Sequence, residues 1–406
     1  MTTSDVQRSA SGTDTTTLSN PVPGFAQNKA PGTGFGRALR PSAKVLPEHA
    51  RGHNRSLVLQ TLYRAGQLSR ADIARETGLT RVTISDLVAE LIGEDIIVEL
   101  GQREDARPGK PATMLDINRA AFQIVGLDLS NVGIISGAVL DLDGQILSRI
   151  EIPLEGSTGA EATAKVHDLV ARIVAKATAP LLGIGVGSPG IVDLGGVVLT
   201  APNLGWDTEP LQSGLQERFG VPVLVANDAN VAALAEHSFG DAASDMMLIK
   251  VGTGVGAGLL LDGTALFGSR FAAGEIGHVV VGTDGGELCA CGKEGCLETW
   301  LAIPRLTARL ATASADDRDG ILAQAGQRLG IALSPIVGAL NLSEIVLSGP
   351  TELLDGPLAE AAIETIRQRT MADFHGHLTL RMTTLGQDIV LRGAAVMVLS
   401  GQLGVS

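Results

Sequence analysis

One short stretch of this chain gathers four good metal ligands: His278, then Cys289, Cys291 and Cys296. Three thiolates and one imidazole complete a tetrahedral Cys3His zinc site, and a site with no open coordination position is structural, not hydrolytic. The glycines inside the run CACGKEGC, Gly292 and Gly295, let a short loop turn its sulfurs inward. No other cysteine is present, and an odd, tightly clustered set points to metal and not to a disulfide framework.

The same residues sit inside longer motifs: GEIGH at 274–278 and CxCGxxGCLE at 289–298. Two further stretches are GSPGIV at 187–192 and NDAN at 227–230, the second at a strand-to-helix junction. Together they closely resemble the signature of the ROK family, which groups sugar-responsive repressors with sugar kinases. Within it the chain is similar to the xylose- and N-acetylglucosamine-responsive repressors. The resemblance spans about residues 120–400. It implies a two-lobed, actin-like/ribonuclease H-like ATPase fold of the ROK type, with a sugar held between the lobes.

Carried onto this chain, the resemblance implies that Asn227, Asp228, Glu275, His278 and Glu298 contact the sugar hydroxyls. Gly190 is a further contact, as is Thr200 from the loop TAPNLGW at 200–206. Carboxylates and an amide suit a neutral polyol rich in donors and acceptors. His278 can place one ring nitrogen on zinc and offer the other to a sugar hydroxyl. Asp228 taken alone reads as a carboxylate at a helix N-terminus. Trp206 reads as a partly buried loop aromatic.

ROK kinases wrap ATP phosphates in two glycine loops. KVGTGVGAG at 250–258 fits the second, and fits a glycine-rich hairpin equally well. Where the kinases carry DxGGTK after their first strand, this chain has DLSNVG at 128–133. The paired glycines, the hydroxyl and the lysine are gone, and side chains stand where backbone amides must approach a phosphate closely. Asp228 matches the kinases' general base. A base without its phosphate cradle favours binding over catalysis. The expectation is a non-catalytic sugar sensor, with an ATP-dependent ROK sugar kinase as the alternative.

Such a site needs an α/β framework, and strands and helices do alternate from about residue 122. Apolar strand-like runs cover 123–129 and 134–140, before the turn DLDG at 141–144. An amphipathic helix follows at 161–177, strands at 181–186 and 221–226, and a helix at 228–239. A glycine-linked strand pair covers 246–251 and 257–261, and later helices run 303–312, 319–340 and 357–369. The class is α/β in two lobes, assigned to 119–406.

Ahead of it, residues 1–48 are rich in Ser, Thr, Gly and Pro and read as a disordered tail. Residues 49–118 read as a winged helix-turn-helix. Leu57, Val58, Leu62 and Tyr63 form a helical face ending at Gly66. Ser69 starts a second helix that Gly78 closes, and Thr80 caps a third carrying Val82, Ile84, Leu87, Val88, Leu91 and Ile92. Strands at 96–100 and 112–117 flank the wing loop 101–111. The third helix would enter the major groove of double-stranded operator DNA, with Arg81 reading a guanine and Thr83 and Ser85 meeting bases or phosphate. Asp86 accepts from cytosine or is a solvated or paired carboxylate. Arg107 and Lys110, in RPGKP, reach the minor groove or backbone, or are ordinary exposed charges.

The whole chain of 406 residues carries a net charge of −13, which speaks against nucleic acid until its distribution is considered. Arg37, Arg40, Lys44, Arg51, Arg55 and Arg64 face a single acid, Glu48. The first three belong to a DNA-contacting arm or to a solvated tail. No apolar run approaches the roughly 18 residues of a membrane span, and the N-terminus lacks a secretory apolar stretch. A cytoplasmic protein is expected. Family members act as homodimers or homotetramers, which implies a palindromic operator.

Overall fold

The computed structural model describes residues 47–102, 112–131, 133–282, 286–371 and 378–405. Most of the tail, with Arg37, Arg40 and Lys44, lies outside them, as do the wing residues Arg107 and Lys110.

The N-terminal unit runs α1 (Pro47–Ala65), β1 (Leu68–Ser69), α2 (Arg70–Thr77), α3 (Arg81–Gly93), β2 (Ile97–Gln102) and β3 (Thr113–Ile117), with sheet order β1-β3-β2. The three helices and two wing strands follow the order read from the sequence, but the short β1 was not foreseen and α1 already begins at Pro47, inside the stretch assigned to the tail. The local causes are explicit. Ser69 Oγ accepts from Asp72 N (3.2 Å) while Asp72 Oδ2 accepts from Ser69 N (3.1 Å), a reciprocal capping box on α2. Gly78 ends that helix at φ 71°, a left-handed conformation that glycine adopts without strain. Thr80 caps α3 by accepting from Thr83 N (3.2 Å).

Ile84, Leu87, Val88 and Leu91 of α3 are buried, but Val82 is 71% exposed. Of the apolar residues on this helix, Val82 faces outward. Two residues before Ile84, it lies about 200° around the helix from the buried stripe.

The remainder begins with β4 (Gln123–Asp128), β5 (Ile134–Leu140), β6 (Ile146–Pro153), α4 (Gly159–Val174), β7 (Leu181–Ser188), β8 (Ile191–Val192), β9 (Val198–Ala201), β10 (Trp206–Glu209), α5 (Leu211–Phe219), β11 (Val223–Asn227) and α6 (Asp228–Phe239). It continues through β12 (Met246–Val251), β13 (Val255–Leu261), β14 (Thr264–Ala265), α7 (Glu298–Leu301), α8 (Ile303–Ala311), α9 (Arg318–Leu340), β15 (Glu344–Ser348), α10 (Thr351–Leu354), α11 (Pro357–Arg369), β16 (Thr379–Met382) and α12 (Ile389–Leu403).

Two mixed sheets repeat one plan. The orders are β11-β7-β4-β5-β6 and β14-β13-β12-β15-β16. In each, a central strand (β4 or β12) has an antiparallel ribbon on one side and two parallel strands on the other. Strands β4, β7, β12 and β15 are buried on both faces, which is why they read as continuous apolar runs. The two-lobed α/β expectation is met.

α12 ties the molecule together. It packs on α6, β4 and β7, and glycines bring the backbones into contact. A Cβ on Gly393 would lie 1.9 Å from Val231 O of α6, and one on Gly185 of β7 would lie 2.1 Å from Ala394 O of α12. Its far end, Leu399 and Leu403 with Val405, shares one core with Val58, Leu59 and Leu62 of α1 and with Ile124, Leu140 and Leu182 of the first lobe. The Tyr63 hydroxyl donates to Leu142 O (2.7 Å), and Arg119 donates to Asp143 (2.8 Å) and Asp116 (2.8 Å). The N-terminal unit is therefore docked on the first lobe and on α12. Among the described residues no helix is long and apolar enough to cross a membrane.

Candidate functional site

Asn227 ends β11 and caps α6, so backbone geometry places Asp228 at the first turn of that helix. The Asn227 carbonyl oxygen accepts from Ala229 N (3.0 Å) and Asn230 N (3.1 Å). Its amide donates to Gly190 O (2.8 Å) and Asp228 Oδ1 (3.2 Å). That uses the hydrogen-bonding capacity of the side chain. Asn227, which the family resemblance places against the sugar, orients Asp228 and anchors the Gly190 turn.

The residue that sequence reasoning passed over is Lys250. It lies on β12 of the second lobe, yet its ammonium sits 3.0 Å from Asp228 Oδ2 and donates to Ser130 Oγ (3.0 Å), both in the first lobe. Ser130 in turn donates to Asp128 Oδ1 through its hydroxyl (2.6 Å) and its amide (2.9 Å), and Asn131 reaches Asp128 Oδ2 (3.2 Å). Burial opposes the charge on Lys250, but Asp228 and Asp128 outweigh it and hold the ammonium above its usual pKa. Burial likewise pushes the Asp128 carboxyl upward, against the pull of Lys250. One cation thus spans the segment that replaces the kinases' first phosphate loop and the aspartate that matches their base.

The glycines after Lys250 form a tight hairpin. β12 and β13 pair from Val251 opposite Val255, and Gly252 N donates to Gly254 O (2.9 Å).

On the second lobe, Glu275 precedes a short helical turn, Ile276–His278. Its half-buried carboxylate makes no hydrogen bond among the described residues. Burial raises its pKa, with Asp228 and Glu298 adding to the shift and His278 opposing it. Glu298 opens α7, accepts from Val255 N (3.2 Å) through Oε2, and accepts from the Cys289 thiol (3.7 Å) through Oε1. It connects the hairpin to the cysteine cluster.

His278, Cys289, Cys291 and Cys296 each bring one ligand atom to within 4.8 Å of the others. His278 Nδ1 lies 3.5 Å from Cys289 Sγ, and the sulfurs of Cys291 and Cys296 are 3.6 Å apart. Around a tetrahedral zinc with Zn–S near 2.3 Å, sulfurs stand about 3.8 Å apart, so the donors fit. The loop is held by Cys289 N donating to Lys293 O (2.8 Å) and by Gly292 at φ 85°. Burial raises the Cys289 thiol and takes Cys296 up to about 12, while the Lys293 amide lowers Cys291. A divalent cation would draw all three into thiolates.

Gly190 has φ 81°, and a Cβ there would lie 1.9 Å from Thr200 O, so only glycine lets these turns meet. Thr200 is exposed on β9. Trp206 is more buried than expected, at 3% exposure in the first-lobe core, and its Nε1 donates to Gly159 O (3.2 Å). The loop aromatic is a core residue because it opens β10.

In the N-terminal unit, Arg81, Ser85 and Asp86 are exposed at the start of α3, and Arg81 forms no ion pair among the described residues. The Thr83 hydroxyl lies 2.9 Å from that of Thr80 and belongs to the cap. Arg51 pairs with Glu90, and Arg55 with Glu90 and Glu94. Two cations of the basic stretch are thus spent on α3 itself.

Residues 125–400 match the profile of the ROK family. A xylose repressor of Caldicellulosiruptor bescii is 29% identical over 386 residues, covering 86% of this chain and 96% of its own. A glucokinase of Halalkalibacterium halodurans is 33% identical over 312 residues, covering 68% of this chain and 94% of its own. Among solved structures, a ROK family transcriptional regulator described as a homolog of the E. coli MLC protein superposes with a TM-score of 0.77 at 26% identity, covering 88% of this chain and 98% of that one.

Proposed function

The chain belongs to the ROK family, and we propose that it is a sugar-responsive DNA-binding repressor of carbohydrate genes, released from its operator when a sugar fills the cleft between the lobes. The carrying observation is a continuous run of packed elements. Asp228 opens α6, α6 lies against α12, and α12 shares a core with α1 of the unit that presents Arg81. The xylose repressor aligns along both parts of this chain, whereas the glucokinase aligns over a shorter share.

In this reading residues 49–118 are the DNA-binding winged helix-turn-helix, 119–406 the sugar domain and 1–48 a tail. Asn227, Asp228, Glu275, His278 and Glu298 accept from or donate to sugar hydroxyls, with Gly190 and Thr200 as further contacts. Zinc, when bound by His278, Cys289, Cys291 and Cys296, supplies a fixed anchor for the imidazole ring. Nδ1 faces the sulfurs, which leaves Nε2 for ligand. Sugar groups that bind Asp228 and Glu275 together favour one lobe spacing over another. Only such a difference in affinity between states can shift DNA binding. The protein acts as a homodimer or homotetramer on palindromic DNA.

Asp228 and the glucokinase relative favour the alternative, a sugar kinase. Two features oppose it: the side chains of Ser130 and Asn131 occupy the first phosphate segment, and Lys250 bridges that segment to Asp228. With ATP, Mg2+ and any sugar that binds, phosphorylation is expected to stay at background in a coupled ADP-release assay. Turnover that vanishes in Asp228→Ala would establish the kinase instead.

A further inference from the structure

A cation that ties two lobes together also stands in the way of whatever enters between them. Lys250 comes from β12, and its mostly buried ammonium reaches Asp228 Oδ2 and Ser130 Oγ, each at 3.0 Å. The other oxygen of Asp228, Oδ1, accepts from the Asn227 amide (3.2 Å). Both carboxylate oxygens therefore have an internal donor before any ligand arrives. The donor to Oδ1 is the adjacent residue, which caps α6 and moves with Asp228. The donor to Oδ2 comes from the opposite lobe, and it is the one that a ligand hydroxyl can displace.

Displacement costs little here because the ammonium has a second place to rest. Ser130 Oγ accepts from it and donates its own hydrogen to Asp128 Oδ1 (2.6 Å). The Asp128 carboxylate is fixed by the Ser130 amide (2.9 Å) and by Asn131 (3.2 Å), and its charge acts on Lys250 together with that of Asp228. Breaking a buried ion pair is normally costly because it strands one charge. A Lys250 that lets go of Asp228 keeps a hydrogen bond to Ser130 and a counter-charge in Asp128. The cluster thus has two arrangements of similar quality, one bridging to Asp228 and one withdrawn from it.

We propose that Lys250 is the latch of the ligand-free, operator-competent spacing of the lobes, and that a sugar hydroxyl donating to Asp228 Oδ2 releases it toward Ser130 and Asp128. This rests on the sugar-sensor reading and names the contact that the sugar breaks. A contact made in one state and lost in the other is what a ligand needs in order to shift the balance between them. Lys250 is a positioning residue in this scheme. Its latch favours the state that binds DNA and opposes the state that binds sugar, so its removal moves the two affinities in opposite directions.

The test uses full-length wild type, Lys250→Met and Ser130→Ala, with calorimetric titration of xylose, glucose and N-acetylglucosamine and fluorescence anisotropy of labelled operator. In Lys250→Met, operator affinity without sugar should fall about 10-fold or more, and sugar should lower it little further. Sugar should bind this variant at least as tightly as wild type. Ser130→Ala removes the place to which the lysine withdraws without stranding a buried charge. It should have the opposite sign, with operator affinity kept and sugar binding weakened about 5-fold or more. General loss of stability would weaken both ligands in both variants, and that result overturns the latch. Wild-type operator affinity and wild-type sugar response in Lys250→Met overturn it too and leave the sugar reading intact. If Lys250→Met does not fold, Ser130→Ala decides, and unchanged sugar affinity there is the contrary result. If no sugar binds wild type, the sugar reading fails and the latch with it.

Discussion

Replacing Cys296 by serine is expected to reduce bound zinc from about one per chain to near zero, and to weaken sugar binding by roughly 10–100-fold or more. The argument starts from burial. Cys296 is fully buried, its sulfur lies 3.6 Å from that of Cys291, and its backbone bridges to Val280 beside His278. A serine hydroxyl is a poor zinc ligand, and three donors do not close a structural site. Without the ion, nothing fixes the His278 ring. Glu298 follows Cys296 by two residues, so both ligand-facing groups are disturbed by one atom change. Metal analysis of the purified variant, with circular dichroism to verify folding, checks the first half, and sugar titration checks the second. Full zinc content in a folded Cys296→Ser protein would show that the ion is not held here.

The second large effect is at the other end of the molecule. Arg81→Ala should weaken specific operator binding by about 5–150-fold, the loss of one bidentate arginine–guanine contact being worth about 1–3 kcal/mol. Sugar affinity should not change. Arg81 heads α3 with its side chain exposed, whereas Arg51 and Arg55 are paired with Glu90 and Glu94 and offer little to phosphate. Exposed Val82 beside it adds an apolar surface suited to a thymine methyl group. Binding to non-specific DNA should fall far less than binding to the operator, because few of its contacts depend on Arg81. Equal loss on both DNAs would recast Arg81 as a backbone contact.

What could be read from the sequence at these two ends is local. The cysteine cluster is local: three sulfurs and two glycines within one loop can be recognised by type and spacing, and their geometry in the fold agrees. The caps of α2 and α3 are local too, since Ser69, Gly78 and Thr80 act within a few residues of themselves. Lys250 is the opposite case. Its partners Asp228 and Ser130 are 22 and 120 positions away in sequence, on the other lobe, and its immediate neighbours drew attention as a glycine loop. Only the second-lobe sheet, laid against the first, brings the ammonium to the carboxylate. Asn227 carries a local signal as well, because an asparagine ahead of a helix caps it and sets the direction of Asp228. Among the apolar residues read on α3, the helical period of Ile84, Leu87, Val88 and Leu91 sets Val82 apart, and it is exposed. α12 escaped notice because a helix buried nearly all round shows no amphipathic period.

The central claim is that one ligand in the cleft changes the affinity of a distant helix for DNA, through α6, α12 and α1. The direct measurement is fluorescence anisotropy of labelled operator, titrated with the full-length protein at fixed salt, with and without a saturating sugar that binds it. Wild type should lose operator affinity about 5–150-fold in the presence of sugar, the usual span of a coupling free energy of 1–3 kcal/mol. Glu275→Ala should bind operator as wild type does and fail to respond. Operator affinity unchanged by a sugar that demonstrably saturates the protein would contradict the account.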